Sequence, residues 1–331
     1  MMDKALNRFT VIIPTIPKDY LRMRHIQPER VIRYLQPEEL VFIGNKELVD
    51  IVNDDIAGRY AGLPVRVIWE EELVKRQPVI DAVKDHVRRV NEEMLGEVRC
   101  GWYYQQFLKM SFSDIYDGRY YMSWDMDTVP LRPISMFDED GHPYFDIKNE
   151  YIPGYFHTIE KLLGLKKNSE GSFISEHMIF RCDLMKEVIK AIEDSPADGS
   201  KYWEKIIGVI DALYVMLGFS EFETYGTYVT AKHPDIYSRR NFRSLRRGSW
   251  FVNEKDLTEE DMEWIGKDFD AITFENAEQI PDMVQLFRTP KYRNNMSAGK
   301  FYETILESGY FGEYKDGWLD GGGQGEWYAP V

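Results

Sequence analysis

The sequence predicts an α/β fold built on a parallel sheet. Short β-branched, apolar runs recur early in the chain, the first stopped by proline and the second by glycine. Helix-length segments with one apolar face separate them. At 331 residues and 44% hydrophobic, the chain also has material for one large core.

The elements follow in order. "FTVIIPT" (Phe9 to Thr15) predicts a buried first strand ended by proline. A helix is expected over Pro28 to Leu35, a strand over Glu39 to Gly44, a helix over Lys46 to Ile56 and a strand over Val65 to Trp69. Ligands of parallel sheets bind beyond the carboxyl ends of the strands, so Pro14 and Thr15 are candidates to line a site, or simply form a turn. Val79, Ala82, Val83, Val87 and Val90 give the next helix an apolar stripe. "WYYQQFLKMSFSDIY" predicts another helix and "RYYMSW" a strand. "FHTIEKLLGL" is expected as a helix, Phe173 to Phe180 as a strand feeding a helix, and "KYWEKIIGVIDALYVML" as one helix ended by Gly218. There is no internal repeat. The expected division is a domain over 1–250 and an extension over 251–331, whose Gly-rich "DGGGQGEW" is expected to be mobile or partner-dependent.

The net charge of -15 counts against a general nucleic-acid binder. Cys100 and Cys182 have no CxxC spacing, which argues against a thiolate zinc site and fits a reducing compartment. The apolar run at the N-terminus is broken by Pro14 and Pro17, and no segment approaches 18 continuous apolar residues. A cytoplasmic protein is expected.

"YYMSWDMDTVPLRP" places Asp125 and Asp127 where a strand ends. Residues one apart on a strand point the same way, so the carboxylates converge if that geometry persists, with Met126 on the buried side. Two adjacent carboxylates repel, and a divalent cation shared with a diphosphate relieves the repulsion. An Asp-rich turn is the plain alternative. "DMDTV" also matches the DxDx[TV] form of haloacid-dehalogenase-like phosphatases, in which the first Asp is the nucleophile and the second a general acid. That family places its motif on the first strand and needs a later acidic pair, for which "EEDMEW" and "KDFDA" are the nearest candidates.

The chain resembles GT-A type nucleotide-sugar glycosyltransferases. More narrowly, "GWYYQQFLKM", "YYMSWDMDTVPLRP", "SEHMIF" and "FSEFETYGTY" resemble the DUF6492 family of bacterial glycosyltransferase-like proteins. The resemblance spans Phe9 to Trp250. It implies a GT-A-like (Rossmann-like) mixed, mainly parallel sheet flanked by helices. It further implies a nucleoside-diphosphate sugar donor, a glycan or lipid-linked acceptor, Mn2+ or Mg2+, and a setting in surface-glycan synthesis. Asp125 and Asp127 would hold the metal, Asp127 more directly, and His233 would be a third ligand. Pro14 and Thr15 would border the nucleobase. Gln105 and Lys109 share a helix face and would reach nucleotide or sugar. His177 would line the sugar and acceptor pocket. Glu221, with Glu223 as runner-up, would take the acceptor's proton. The last 80 or so residues match no family motif.

Arg239, Arg240, Arg243, Arg246 and Arg247 fall within nine residues of an acidic chain. Such a cluster, with Arg240 and Arg243 as the named contacts, suits a leaving diphosphate or an anionic acceptor. Its rival role is a basic patch for anionic lipid at the inner membrane face, or for a partner. A non-catalytic sugar-nucleotide-binding or scaffold protein remains the third class.

Overall fold

The computed structural model of the chain describes residues 7–275 and 279–308. The Gly-rich tail lies outside the described residues. Ten strands, β1 (Phe9–Pro14), β2 (Glu39–Gly44), β3 (Val65–Trp69), β4 (Tyr120–Trp124), β5 (Thr128–Pro130), β6 (Tyr144–Asp146), β7 (His177–Arg181), β8 (Ser238–Arg240), β9 (Ser244–Leu245) and β10 (Ala271–Thr273), are described. The central sheet has the order β3-β2-β1-β4-β7. Its first four strands run parallel, and β7 pairs antiparallel with β4, His177 opposite Trp124. The expected mixed, mainly parallel α/β sheet is what the chain forms. A second sheet, β5-β10-β9, and the pair β6-β8 complete the strands.

Helices α1 (Pro17–Met23), α2 (Gln27–Leu35), α3 (Lys46–Ala57), α4 (Arg76–Val90) and α5 (Cys100–Ile115) fall between the parallel strands. Between and after β6 and β7 come α6 (Pro153–Leu163), α7 (Cys182–Glu193), α8 (Tyr202–Val209) and α9 (Glu221–Lys232). Helices α10 (Glu259–Ile265), α11 (Pro281–Arg288), α12 (Pro290–Asn295) and α13 (Ala298–Glu307) follow. Among the described residues no helix is long and apolar enough to cross a membrane.

Alternation along the buried strands divides the core. Val11, Ile13, Phe42, Met122 and Trp124 face one layer, together with Phe251, Trp264, Ile272 and Phe301 from the C-terminal part. Ile12, Val41, Ile43, Tyr121 and Phe180 face the other, against α4, α5, α7, α8 and α9.

Two expected elements differ. The strand placed over Phe173 to Phe180 starts only at His177. Before it, Ser172 and Ser175 use their hydroxyls on nearby backbone, Ser172 Oγ accepting from the Ile174 N–H at 3.0 Å, which competes with ladder pairing. The single helix expected through Leu217 stops at Val209. Carbonyls beyond it are taken from outside: Ile210 by His86, Ala212 by Asn91 and Val215 by Tyr103.

Candidate active site

A cavity of about 1170 Å³ opens at the carboxyl ends of the parallel strands. Its floor is the turn after β4. The Thr128 N–H donates to the Asp125 carbonyl at 3.2 Å, so the two aspartates sit on a tight turn rather than on the strand itself. Neighbours fix that turn: Asp125 N–H donates to the Glu176 carbonyl, and Phe274 N–H to that of Asp127. Trp124 Nε1–H closes it onto the Thr128 carbonyl at 2.8 Å. Met126, 5% exposed, packs into the core, while both half-buried aspartates line the cavity. The Asp127 carboxyl is pushed up to about 8, first by burial and then by the charges of Asp125 and Glu275, with Arg22 opposing. A cation beside the pair would relieve that repulsion.

Helix α5 supplies the opposite charge. Lys109 Nζ lies 2.9 Å from Glu221 Oε1 and 3.4 Å from Asp125 Oδ1, above the Phe222 ring. Burial alone would lower its ammonium, but the two carboxylates outweigh that and raise it. One turn earlier, Gln105 Nε2 donates to the Pro14 carbonyl at 3.1 Å, tying α5 to the end of β1. Gln106 Oε1 accepts from Glu221 N–H, fixing the start of α9, which Ser220 caps. Glu221 is therefore the first residue of a helix, not an exposed helix–loop boundary. Across the cavity, Arg246 pairs with Glu150 and Glu275, and Arg247 with Glu275.

Pro14, Thr15, Gln105, Lys109, Asp125, Asp127 and Glu221 thus border one cavity. Other expected residues are placed elsewhere. His177 is 2% exposed. Its Nε2 meets Asp146 Oδ2 at 2.7 Å, and its ring stacks on Trp124 at 4.7 Å. It packs behind the aspartate turn instead of lining the pocket. Arg240 is spent on the same Asp146, at 2.7 and 2.8 Å. Burial alone would raise the Asp146 carboxyl, but Arg240 and His177 hold it at about 2. Arg243 lies over the Phe269 ring, with its backbone N–H on Asp270. His233 caps the far end of α9 and bonds Glu187 at 3.0 Å. That twelve-residue helix spans about 18 Å, which separates His233 from the aspartates. Glu223 is buried behind the wall against Ser172.

Among the described residues, no group of three or more His, Cys, Asp or Glu is placed to hold a metal ion. The acids of "EEDMEW" and "KDFDA" are also spent away from the cavity: Asp261 caps α10 and takes Arg288 and Arg293, Asp268 accepts from Gly299 N–H, and Asp270 takes Arg132. Neither stretch therefore supplies the cavity with the acidic pair a haloacid-dehalogenase-like site needs.

Glu70, Arg76, Glu275 and the choice of Arg246 and Arg247 over Arg240 and Arg243 escaped the reading of the sequence. Glu70 had a usable signal: it follows β3 directly, as Thr15 follows β1. The arginine choice had none, because it depends on β8 pairing with β6 while β9 pairs with β10.

Fold and cavity define an α/β protein with a cleft of mixed charge at the carboxyl end of its parallel strands. Residues 8–279 match the family of unknown function DUF6492, and the chain belongs to that family. No curated protein matches it in sequence. Solved structures similar to it include mouse xyloside xylosyltransferase 1 in its apo form, 12% identical, over 81% of this chain and 98% of that one, with a TM-score of 0.39. The bifunctional glycosyltransferase WbbM, apo, is 12% identical over 89% of this chain and 51% of that one, TM-score 0.40; this chain spans about half its length. Core-mannan synthase A from Aspergillus fumigatus, in a Mn/GDP form, is 12% identical over 61% and 70%, TM-score 0.35.

Proposed function

We propose that this protein is a divalent-metal-dependent glycosyltransferase that moves a sugar from a nucleoside-diphosphate donor to an acceptor hydroxyl of a glycan or lipid-linked glycan. The observation that carries this is the junction at Lys109: one buried ammonium between Asp125 of the aspartate turn and Glu221 of α9, inside a cavity large enough for donor and acceptor together.

Asp125 and Asp127 suit Mn2+ or Mg2+, which take few protein oxygens and fill the remainder with water and phosphate. The ion, when bound, would offset charge on the departing diphosphate. Arg246 and Arg247, held in place by Glu150 and Glu275, face the same space and would offer N–H donors to the leaving group. Lys109 holds Glu221 in position at the cavity wall. Glu221 would then accept the acceptor hydroxyl's proton as that oxygen bonds to the sugar carbon and the carbon–phosphate oxygen bond breaks. His177 acts only through Trp124, by bracing the aspartate turn. Arg240, Arg246 and Arg247 are engaged internally, which weighs against a membrane role for the Arg239–Arg247 stretch.

Calorimetric titration with UDP, GDP, CDP and ADP, with and without Mn2+, tests this reading, together with release of nucleoside diphosphate from a nucleotide-sugar panel. Metal-dependent binding of one nucleotide is expected, at least tenfold weaker in Asp127→Asn. If no nucleoside diphosphate binds in a metal-dependent way, the proposal falls. Binding without any turnover would instead support a non-catalytic binding protein.

A further inference from the structure

Glu70 follows β3 directly, on the wall of the cavity farthest along the sheet from the aspartate turn. It is 8% exposed, yet no hydrogen bond from the described residues reaches its carboxylate. Its nearest partner is Arg76, whose Nε stands 3.6 Å away, beyond hydrogen-bond distance, on a side chain 52% exposed. Arg76 also lies over the Tyr104 ring, and all three residues border the cavity. On the cavity wall, with only a long ion pair to Arg76, the carboxylate is available to the donors of a ligand.

Position along the sheet says which part of a ligand that is. In the order β3-β2-β1-β4, β3 stands three strand spacings from β4, roughly 14 Å. A nucleoside diphosphate with its phosphates at Asp125 and Asp127 would cross the ends of β1 and β2, where Pro14, Thr15 and Ile43 line the cavity. The ribose, joined directly to phosphate, falls short of β3. The base reaches it.

Base chemistry then narrows the choice. Guanine presents two adjacent N–H donors, N1–H and N2–H, beside the O6 acceptor. A carboxylate takes both donors, and an arginine next to it serves O6. Uracil sets two carbonyls around a single N–H, so a carboxylate that accepts that one proton gains no second donor and meets a carbonyl oxygen instead. Cytosine and adenine offer one amino group beside a ring-nitrogen acceptor. Building on the transferase reading, we infer that Glu70 and Arg76 read the Watson–Crick edge of guanine, so that the donor is a guanosine-diphosphate sugar.

The test is calorimetric titration of the full chain with Mn2+ and GDP, inosine diphosphate, UDP, CDP or ADP. GDP is expected to bind tightest. Inosine diphosphate, which lacks only the 2-amino group, is expected to bind about tenfold more weakly or worse. Glu70→Gln should erase the difference between GDP and inosine diphosphate and weaken GDP binding more than UDP binding. Equal binding of GDP and inosine diphosphate, or tighter binding of another base, overturns the guanine assignment and leaves the transferase reading standing. If no diphosphate binds, both fall. The inosine comparison uses the unaltered protein, so the test survives a variant that fails to fold.

Discussion

Glu223 shows how burial tunes a carboxyl just behind the site. It is 1% exposed, accepts from Ser172 Oγ and from Phe173 N–H, and leaves Oε2 buried without a partner. Burial pushes its carboxyl up to about 7 from an ordinary 4.5, despite the Ser172 hydroxyl and Lys167 pulling the other way. The folded protein therefore holds this proton more tightly than the unfolded chain does. Its stabilising effect is complete below about pH 4.5, declines as pH rises and is gone above about 7, a change of up to about 3 kcal/mol. In urea unfolding at pH 5 and pH 8, Glu223→Gln should lose less stability across that interval than the unaltered protein. Identical losses would show that Glu223 is not the titrating group. Its sequence neighbour Glu221 points instead at Lys109, a difference of environment that "SEFETYG" does not display.

At the scale of elements, α9 carries both glutamates and is fitted closely to the strand region before β7. A methyl group added to Gly226 would stand 2.3 Å from the Phe173 ring, itself 1% exposed. The ring has nowhere to go, so overpacking of about 2–3 kcal/mol outweighs the roughly 1 kcal/mol that alanine gains in a helix. Gly226→Ala is expected to lower the thermal midpoint by several degrees. An unchanged or higher midpoint would mean that α9 is free to shift, and that Glu221 is not rigidly placed. The same elements show what the sequence made readable. β2 falls on Glu39–Gly44 as read, because a parallel strand buried on both faces is a nearly unbroken apolar run; β3, the edge strand, falls on Val65–Trp69 through its β-branched residues although Arg66 is exposed. Residues 173–176 and 210–217 depart from the expected strand and helix because distant side chains, Glu223 for the first and His86, Asn91 and Tyr103 for the second, take the backbone groups that local propensity assigns to them. No local pattern records those partners.

At the scale of the molecule, the excess of acid extends into the cavity. Seven carboxylates line it, Asp19, Glu70, Asp125, Asp127, Glu150, Glu221 and Glu275, against five cations, Arg76, Arg99, Lys109, Arg246 and Arg247. Four of those cations, Arg76, Lys109, Arg246 and Arg247, are already within ion-pair distance of carboxylates. That balance bears on a question the sequence left open. The DMD motif and the arginine run each offered a way to meet a diphosphate, and their distance in sequence did not say which dominates. Folding brings both to one cavity but pairs the arginines with Glu150 and Glu275, so the fixed positive charge is largely neutralised before a ligand arrives. A diphosphate alone therefore meets a surface of its own sign, and at short range in a low-dielectric cleft this repulsion exceeds what two preoccupied arginines return. Chelation of divalent ions should thus weaken binding of nucleoside diphosphate at least a hundredfold, not the few-fold expected if the arginines were the main anchor. Titration in EDTA against Mn2+ at constant ionic strength distinguishes the two. Arg247→Gln should cost less than chelation, because Arg246 remains in place and still pairs with Glu275. Retention of most affinity in EDTA would transfer the anchoring role to Arg246 and Arg247.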